Sequence, residues 1–426
     1  MILLSQPRSI LLREQSSRDP LGAKGFFLLW MAAFAVCTLG NGLGGRWIST
    51  AEGADFGVES TRTAAAILKY GEFRDPFLPM PTGPTSHVAP AYPVLYSGVM
   101  AVFGTGKTGW WAVHLITLAA YTLQLSLVAL LAVELGFSAL TGMIAAGLGC
   151  LIPLPGSSYK WEAHFTGLLL VAIACTMLRF CRTHALSTAA ALGLLSGIGI
   201  LFSPVIAIVC TAWIVLIRQS LNLKSLLLIA GLALLVTSPW LVRNYRVFGA
   251  FIFIRDDLGT ELATSNNDCS SAWSLDNIDS QCFAVMHPNA NVQLDKRIVE
   301  VGEYRFNVEQ RHKGWYWISA HWLRFGGLAA KRFAFFWFPA TAGGRGLALL
   351  AAMIVSLLTL ASIPGLILMH RENRFAAYML AACLVFFPLV YYLVNVDVRY
   401  RYPILWVSCI ATAYLLTRPR RGISLS

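Results

Sequence analysis

Trp110-Trp-Ala-Val-His114-Leu-Ile-Thr117-Leu-Ala-Ala-Tyr121-Thr-Leu-Gln124-Leu-Ser126-Leu-Val-Ala-Leu-Leu-Ala-Val133 runs for 24 residues without a charge and closes on Glu134. An α-helix rises about 1.5 Å per residue and needs roughly 20 apolar residues to cross a hydrocarbon core of about 30 Å, so this stretch is long enough to span a bilayer. The apolar positions are continuous and do not alternate, which predicts a helix and not a strand of a membrane barrel. Gly25–Asn41, Phe165–Leu178 and Gly346–Met369 repeat the pattern. Across all 426 residues 57% are hydrophobic, only 13% are charged, and the mean hydropathy is +0.62. That composition excludes an ordinary soluble domain. The expectation is an all-α, polytopic membrane protein.

Working outward, the sequence predicts about ten transmembrane helices, near 25–44, 109–134, 138–155, 162–180, 185–202, 204–218, 224–241, 346–369, 375–394 and 403–417. With that count the short basic loops Arg179–His184, Arg218–Lys224 and His370–Arg374, and the tail Arg418–Arg421, share a side with the N-terminus. The positive-inside rule makes that side cytoplasmic. Dispersed Arg8, Arg13, Arg18 and Lys24 argue for a retained cytoplasmic tail over residues 1–24, not a cleaved signal. The chain divides into that tail, a membrane domain over 25–242 carrying an external loop at 45–108, an external region at 243–345, C-terminal helices over 346–417, and a tail over 418–426. The net charge of +12 is accounted for by the cytoplasmic flanks and anionic lipid head groups, so no nucleic acid is expected as a partner.

The polar chemistry is concentrated in the two external segments. In Glu59-Ser-Thr-Arg62-Thr-Ala-Ala-Ala-Ile67-Leu68-Lys-Tyr-Gly71, polar and apolar residues recur at helical spacing. This predicts an amphipathic helix at the interface, ended by Gly71, with the prolines from Pro76 to Pro84 keeping the next stretch extended. A carboxylate there, Glu59, can take a proton from an attacking hydroxyl or amine; its alternative is an ion pair with Arg62. Of the nine cysteines only Cys269 and Cys282 share an external loop, which predicts a disulfide in an oxidising compartment.

The run Glu59…Arg62…Ala64…Gly71…Phe73…Asp75-Pro-Phe77, with Thr82-Gly-Pro-Thr85, Ala89-Pro-Ala-Tyr-Pro93 and Phe103-Gly104, resembles the first external loop of bacterial GT-C glycosyltransferases. These are relatives of the dolichyl-phosphate-mannose protein mannosyltransferases and of the lipid A aminoarabinose transferase. The likeness continues in Pro239-Trp240-Leu-Val-Arg243-Asn244-Tyr245-Arg246, in Gly259, Glu261 and Asn266, in Trp317, Arg332, Phe336 and Trp337, and in Arg399-Tyr-Arg401-Tyr-Pro403. It implies an inverting enzyme on the external face of the bacterial inner membrane. Such an enzyme moves a sugar from a polyprenyl-phosphate donor to a glycan, lipid or protein acceptor. The family's acidic base maps onto Glu59, but many relatives carry an adjacent Asp-Glu pair, whereas here Asp55 stands one helical turn before Glu59. Both remain candidates.

A leaving lipid phosphate needs a cation in a low-dielectric site, and guanidinium forks suit it. Arg243, Arg246 and Arg255 follow the seventh predicted helix, and Arg399 and Arg401 stand at the external end of the last hairpin. The alternative for all of them is anchoring helix ends among head groups. Lys160, Glu162 and Tyr92 are assigned supporting roles, and Trp315, Tyr316, Trp317, Trp322, Phe335, Phe336 and Trp337 form either a sugar platform or an interfacial belt. No zinc-type spacing occurs; Asp256-Asp257 leaves a divalent metal open, and no other cofactor is expected. A transporter or flippase of a lipid-linked saccharide is the competing function.

Overall fold

The computed structural model describes residues 22–43, 58–152, 162–343 and 346–418, so Asp55 and Lys160 lie outside the described residues. Among the described residues there are helices and no strands; Arg74–Pro84 and Trp273–Val396 are isolated bridges. Helix α1 is Gly22–Leu43. The segment expected to be the first external loop holds α2 (Glu59–Tyr70) and α3 (Ala91–Phe103). The bundle continues through α4 (Lys107–Glu134), α5 (Ala139–Cys150), α6 (Ala163–Thr183), α7 (Leu186–Phe202), α8 (Val205–Leu216) and α9 (Leu223–Phe248). A second layer of helices, in the region expected to be external, follows: α10 (Leu258–Ser265), α11 (Ser274–Asp279), α12 (Cys282–Met286), α13 (Val292–Val301), α14 (Glu303–Ala320) and α15 (Trp322–Trp337). The chain returns to the bundle with α16 (Gly346–Glu372), α17 (Arg374–Phe386) and α18 (Tyr402–Thr417).

Each of the ten expected stretches overlaps a helix, and among the described residues helix length divides them. Five stretches are long and apolar enough to cross a membrane: Lys107–Glu134, Ala163–Thr183, Leu223–Phe248, Leu349–Glu372 and Arg374–Tyr392. Lys24–Gly40, Ala139–Cys150, Leu186–Phe202 and Val205–Leu216 are apolar but shorter than 18 residues. The expected helices 138–155 and 204–218 shrink because Leu151 and Ile217 already close the helices. The chain is nonetheless a multi-pass membrane protein: α9 and α16 turn Leu226, Leu227, Leu234, Leu235, Leu357 and Leu360 outward, which only lipid makes favourable in such number.

Close helix packing follows from small residues. A Cβ on Gly193 would meet the Ile229 carbonyl at 2.6 Å and one on Gly197 would meet Val236 Cβ at 2.7 Å. This four-residue glycine spacing lets α7 press against α9. Helix α18 is buried on every side from Tyr402 to Tyr414, against α5, α6 and α16. Its lack of a polar face is what a central helix needs.

The second external layer was expected as a loop region, and no helices were assigned to it. Its helices range from Cys282–Met286 to Glu303–Ala320 and alternate polar with apolar residues, unlike the continuous apolar runs from which the bundle is read. Arg332, fully buried, fastens it: Nη1 donates to Asn266 Oδ1 (3.1 Å) and the Leu393 carbonyl (3.0 Å), and Nη2 donates to the Ser265 carbonyl. The expected Cys269–Cys282 disulfide is formed, with the Cα atoms 5.6 Å apart.

Candidate active site

Helix α2 starts at Glu59 and ends where Gly71, at φ 69°, sends its N–H back to the Ile67 carbonyl. It is not a solvated helix: Glu59, Ser60, Thr61 and Thr63 are buried. Among the described residues no ion pair joins Glu59 to Arg62, so the ion-pair alternative is not realised. Glu59 instead meets two imidazoles. One ligand atom each from Glu59, His87 and His287 lies within 4.8 Å of the others, and all three residues are buried.

His87 comes from the extended stretch after α2, and its amide donates to Thr85 Oγ1 at 2.9 Å. Burial, then His287 and Arg255, push its pKa down to about 3, so the ring is neutral at any physiological pH. Its Nδ1 is buried with no hydrogen-bond partner. His287 follows α12 and stacks on Phe283 at 4.5 Å. The Asn289 amide donates to its Nδ1 at 3.1 Å, which places the ring's proton on Nε2, 3.7 Å from Glu261 Oε1. Burial opposes ionisation of Glu261, but His287 and Arg255 outweigh it and bring its pKa to about 2.

Two further acids close the site. Asp295 of α13 is fully buried with neither carboxylate oxygen hydrogen bonded, and burial pushes its pKa up to about 6. Glu303 opens α14 and accepts from the Ser86 amide at 2.6 Å; burial pushes its pKa to about 7. No spacing joins His87, His287, Asp295 and Glu303 in the sequence, because they come from four separate stretches. The burial of so many titratable groups is the signal, and it is visible only in three dimensions.

The expected arginines separate. Arg243 donates to the Thr85 carbonyl at 2.7 Å and the Phe73 carbonyl at 2.9 Å, so its fork is already occupied by backbone. Arg246 is exposed at the end of α9. Arg255 pairs with Asp257 and, at 3.9 Å, with Glu162. Arg399 also feels Glu162 and lies 5.1 Å from the Tyr400 ring, and Tyr400 stacks on Tyr391 at 4.3 Å. Arg401 is buried over Trp337 (4.4 Å) and donates to Ser408 Oγ at 2.7 Å, leaving Nε and Nη1 without hydrogen-bond partners. Arg255 is therefore the arginine that contacts Glu162, while Arg399 is within electrostatic reach of the same carboxylate. Arg243 stays with the first loop. Asp257 is taken by Arg255, whereas the Asp256 amide donates to the Ser86 carbonyl at 2.9 Å and the Asp256 carboxylate Oδ2 is buried without a hydrogen-bond partner. Tyr92 is buried in α3 against Tyr96 and Phe165. Of the aromatic group, Trp317 and Phe336 are buried while Trp315, Tyr316 and Trp322 are exposed.

No family model matches the chain, and no curated protein matches it. Solved structures do. The apo oligosaccharyltransferase of Archaeoglobus fulgidus is similar over 94% of this chain and 51% of its own, at 15% identity and a TM-score of 0.56. The same archaeon's oligosaccharyltransferase AglB, bound to an inhibitory peptide and a dolichol-phosphate, is similar over 92% of this chain and 50% of its own, at 14% identity and a TM-score of 0.54. Its complex with Zn and sulfate is similar over 91% and 48%, at 15% identity and a TM-score of 0.52. At such identity the likeness is one of fold, the GT-C fold, and the chain spans about half the length of the proteins it matches.

Proposed function

We propose that this chain is a GT-C glycosyltransferase that moves a sugar from a polyprenyl-phosphate donor to an acceptor on the external face of the membrane. The observation that carries the proposal is the buried Glu59–His87–His287 cluster, set in the external segments of a fold shared with enzymes solved with dolichol-phosphate and with peptides. A structural role alone does not explain three converging titratable side chains, because burying them opposes folding unless a ligand or partner compensates.

In a single displacement, the acceptor's hydroxyl or amide nitrogen attacks the anomeric carbon with inversion, the bond from sugar to phosphate oxygen breaks, and polyprenyl phosphate leaves. Glu59 takes the acceptor's proton; Asp55, beyond the described residues, shares its candidacy. Arg255 and Arg399 hold the phosphate, with Glu162 keeping the two guanidiniums apart and oriented until the anion arrives. Tyr391 and Tyr400 wall that side.

The cluster also fits a divalent metal. His87 is held neutral and offers a buried Nδ1 without a partner, and a carboxylate with two imidazoles is a common transition-metal donor set. Glu59 and His87 would hold it, His287 could join them only by giving up the Asn289 amide at Nδ1 or its proton toward Glu261 at Nε2, and the ion would supply positive charge against the phosphate. One oxygen of Glu59 suffices for such a bond, which leaves the other for the proton.

The test is reconstitution of the purified chain in vesicles with a labelled polyprenyl-phosphate sugar and a mixed envelope extract as acceptor source. Appearance of label in extract components, absent with empty vesicles, supports transfer. Movement of intact donor between leaflets with no transferred label would make the chain a flippase instead.

A further inference from the structure

His87 reaches the cluster at the end of a loop that the cluster itself does not hold. Phe73 and Thr85 form the neck of that loop, where the Thr85 amide donates to the Phe73 carbonyl at 3.1 Å. Arg243, on the last turns of α9, grips the same neck from outside: Nη1 takes the Thr85 carbonyl at 2.7 Å and Nη2 takes the Phe73 carbonyl at 2.9 Å. Its guanidinium carbon lies 4.8 Å from the Trp240 ring, 5.5 Å from Phe248 and 5.6 Å from Phe73. Three rings and two carbonyls leave the group one orientation. A planar fork can bridge two carbonyls in this way, whereas an ammonium cannot hold both with the same geometry.

One residue further on, the second external layer takes over. Glu303 Oε1 accepts from the Ser86 amide at 2.6 Å and from its hydroxyl at 3.2 Å, and the Ser86 carbonyl accepts from the Asp256 amide at 2.9 Å. Thr85 and Ser86 are thus pinned from two elements just before the residue that turns its imidazole inward. With both positions fixed, few backbone torsions are left to decide where the His87 ring goes.

We infer that Arg243 and Glu303 are positioning residues that set the His87 imidazole against Glu59 and His287; the inference rests on reading that cluster as a divalent metal centre. Neither side chain touches the reacting atoms. Their contribution is to hold the arm before any ligand arrives, so that binding does not have to order it.

The test uses the full chain in detergent, stripped with chelator and titrated with Co²⁺ while its visible absorption is followed, with His87→Ala as the blank. Hydrogen exchange on the metal-free protein, read on a peptide covering 82–90, runs in parallel. Arg243→Lys and Glu303→Gln should each speed exchange over 85–87 and weaken Co²⁺ binding by about tenfold or more, the scale of one or two charge-assisted hydrogen bonds. Arg243→Ala should do no better than Arg243→Lys, because the lost feature is the fork. Wild-type exchange in both variants overturns the inference whatever the metal does, and so does faster exchange with unchanged Co²⁺ affinity. Should Arg243 variants fail to fold, Glu303→Gln decides alone. If the wild-type chain gives no spectrum beyond the blank, the metal reading is what fails, and the exchange data still decide whether the arm is pinned by these two residues.

Discussion

Helix α18 and the space beneath α2 are both buried, and they are built from opposite materials. From Tyr402 to Tyr414 α18 is surrounded by apolar side chains and by helices packed on every side. Under α2 the buried groups are Glu59, Asp75, His87, His287, Asp295 and Glu303. In α18 burial is the source of stability, at about 25 cal/mol per Å² of apolar surface. Beneath α2 burial works against it, since each ionisable group loses hydration that its few hydrogen bonds return only in part. The external layer keeps these groups because the bundle and the Arg332 clamp hold it in place regardless. A stable bundle thus carries an energetically unfavourable centre, the arrangement expected of a reaction site.

The comparison breaks most sharply at the imidazoles. His287→Ala and His87→Ala should each lower transfer by about a hundredfold or more while leaving thermal stability unchanged or raised, since a desolvated polar group is removed. A fall in stability with transfer intact would turn the centre into a packing feature. At the clamp the sign reverses. Arg332→Leu leaves the Ser265 carbonyl without its donor and the Leu393 carbonyl with Asn266 Nδ2 alone, and we expect about 3 kcal/mol of destabilisation confined to α10–α15, seen as faster proteolysis of residues 258–337 with the bundle helices intact. Uniform unfolding of both parts would show that they are one cooperative unit.

A smaller effect concerns the donor. Arg255→Ala and Arg399→Ala should each weaken binding of a polyprenyl-phosphate sugar by roughly tenfold to a hundredfold, while Arg246→Ala, exposed at a helix end, should not. Equal losses at all three would mean general attraction of an anionic lipid. The smallest effect is a pH slope. Burial raises the folded pKa of Glu303 from 4.5 to about 7, so its proton favours the folded state, and stability present below pH 4.5 is lost as pH rises toward 7. Relative to Glu303→Gln, the wild-type melting temperature should fall across that window by a degree or more, and parallel profiles would show the carboxyl to be solvated.

The bundle was legible because span length and continuous apolar sequence are local properties: Trp110–Val133 announces a helix with no help from its neighbours. The position of α2 was legible for the same reason, through its polar period and Gly71. The burial of α2 was not, since the groups covering it arrive from residues 287, 295 and 303, more than two hundred positions downstream. Arg243 illustrates the other limit. A guanidinium after a membrane helix reads equally as a phosphate ligand or an anchor, and its actual partners are two carbonyls, which carry no sequence signature. Helices α10 to α15 were unread because they mix polar and apolar residues and are held by tertiary contacts such as Arg332, whereas the reading followed continuous apolar runs.

The central claim is that Glu59 under α2 is where the acceptor loses its proton. Glu59→Gln keeps the shape and removes the base, so at saturating polyprenyl-phosphate sugar the single-turnover transfer rate of the reconstituted chain should fall by about two to four orders of magnitude. Transfer at the wild-type rate by Glu59→Gln, in vesicles where the wild-type chain is active, would contradict the account and move the base to Asp55 or Asp295.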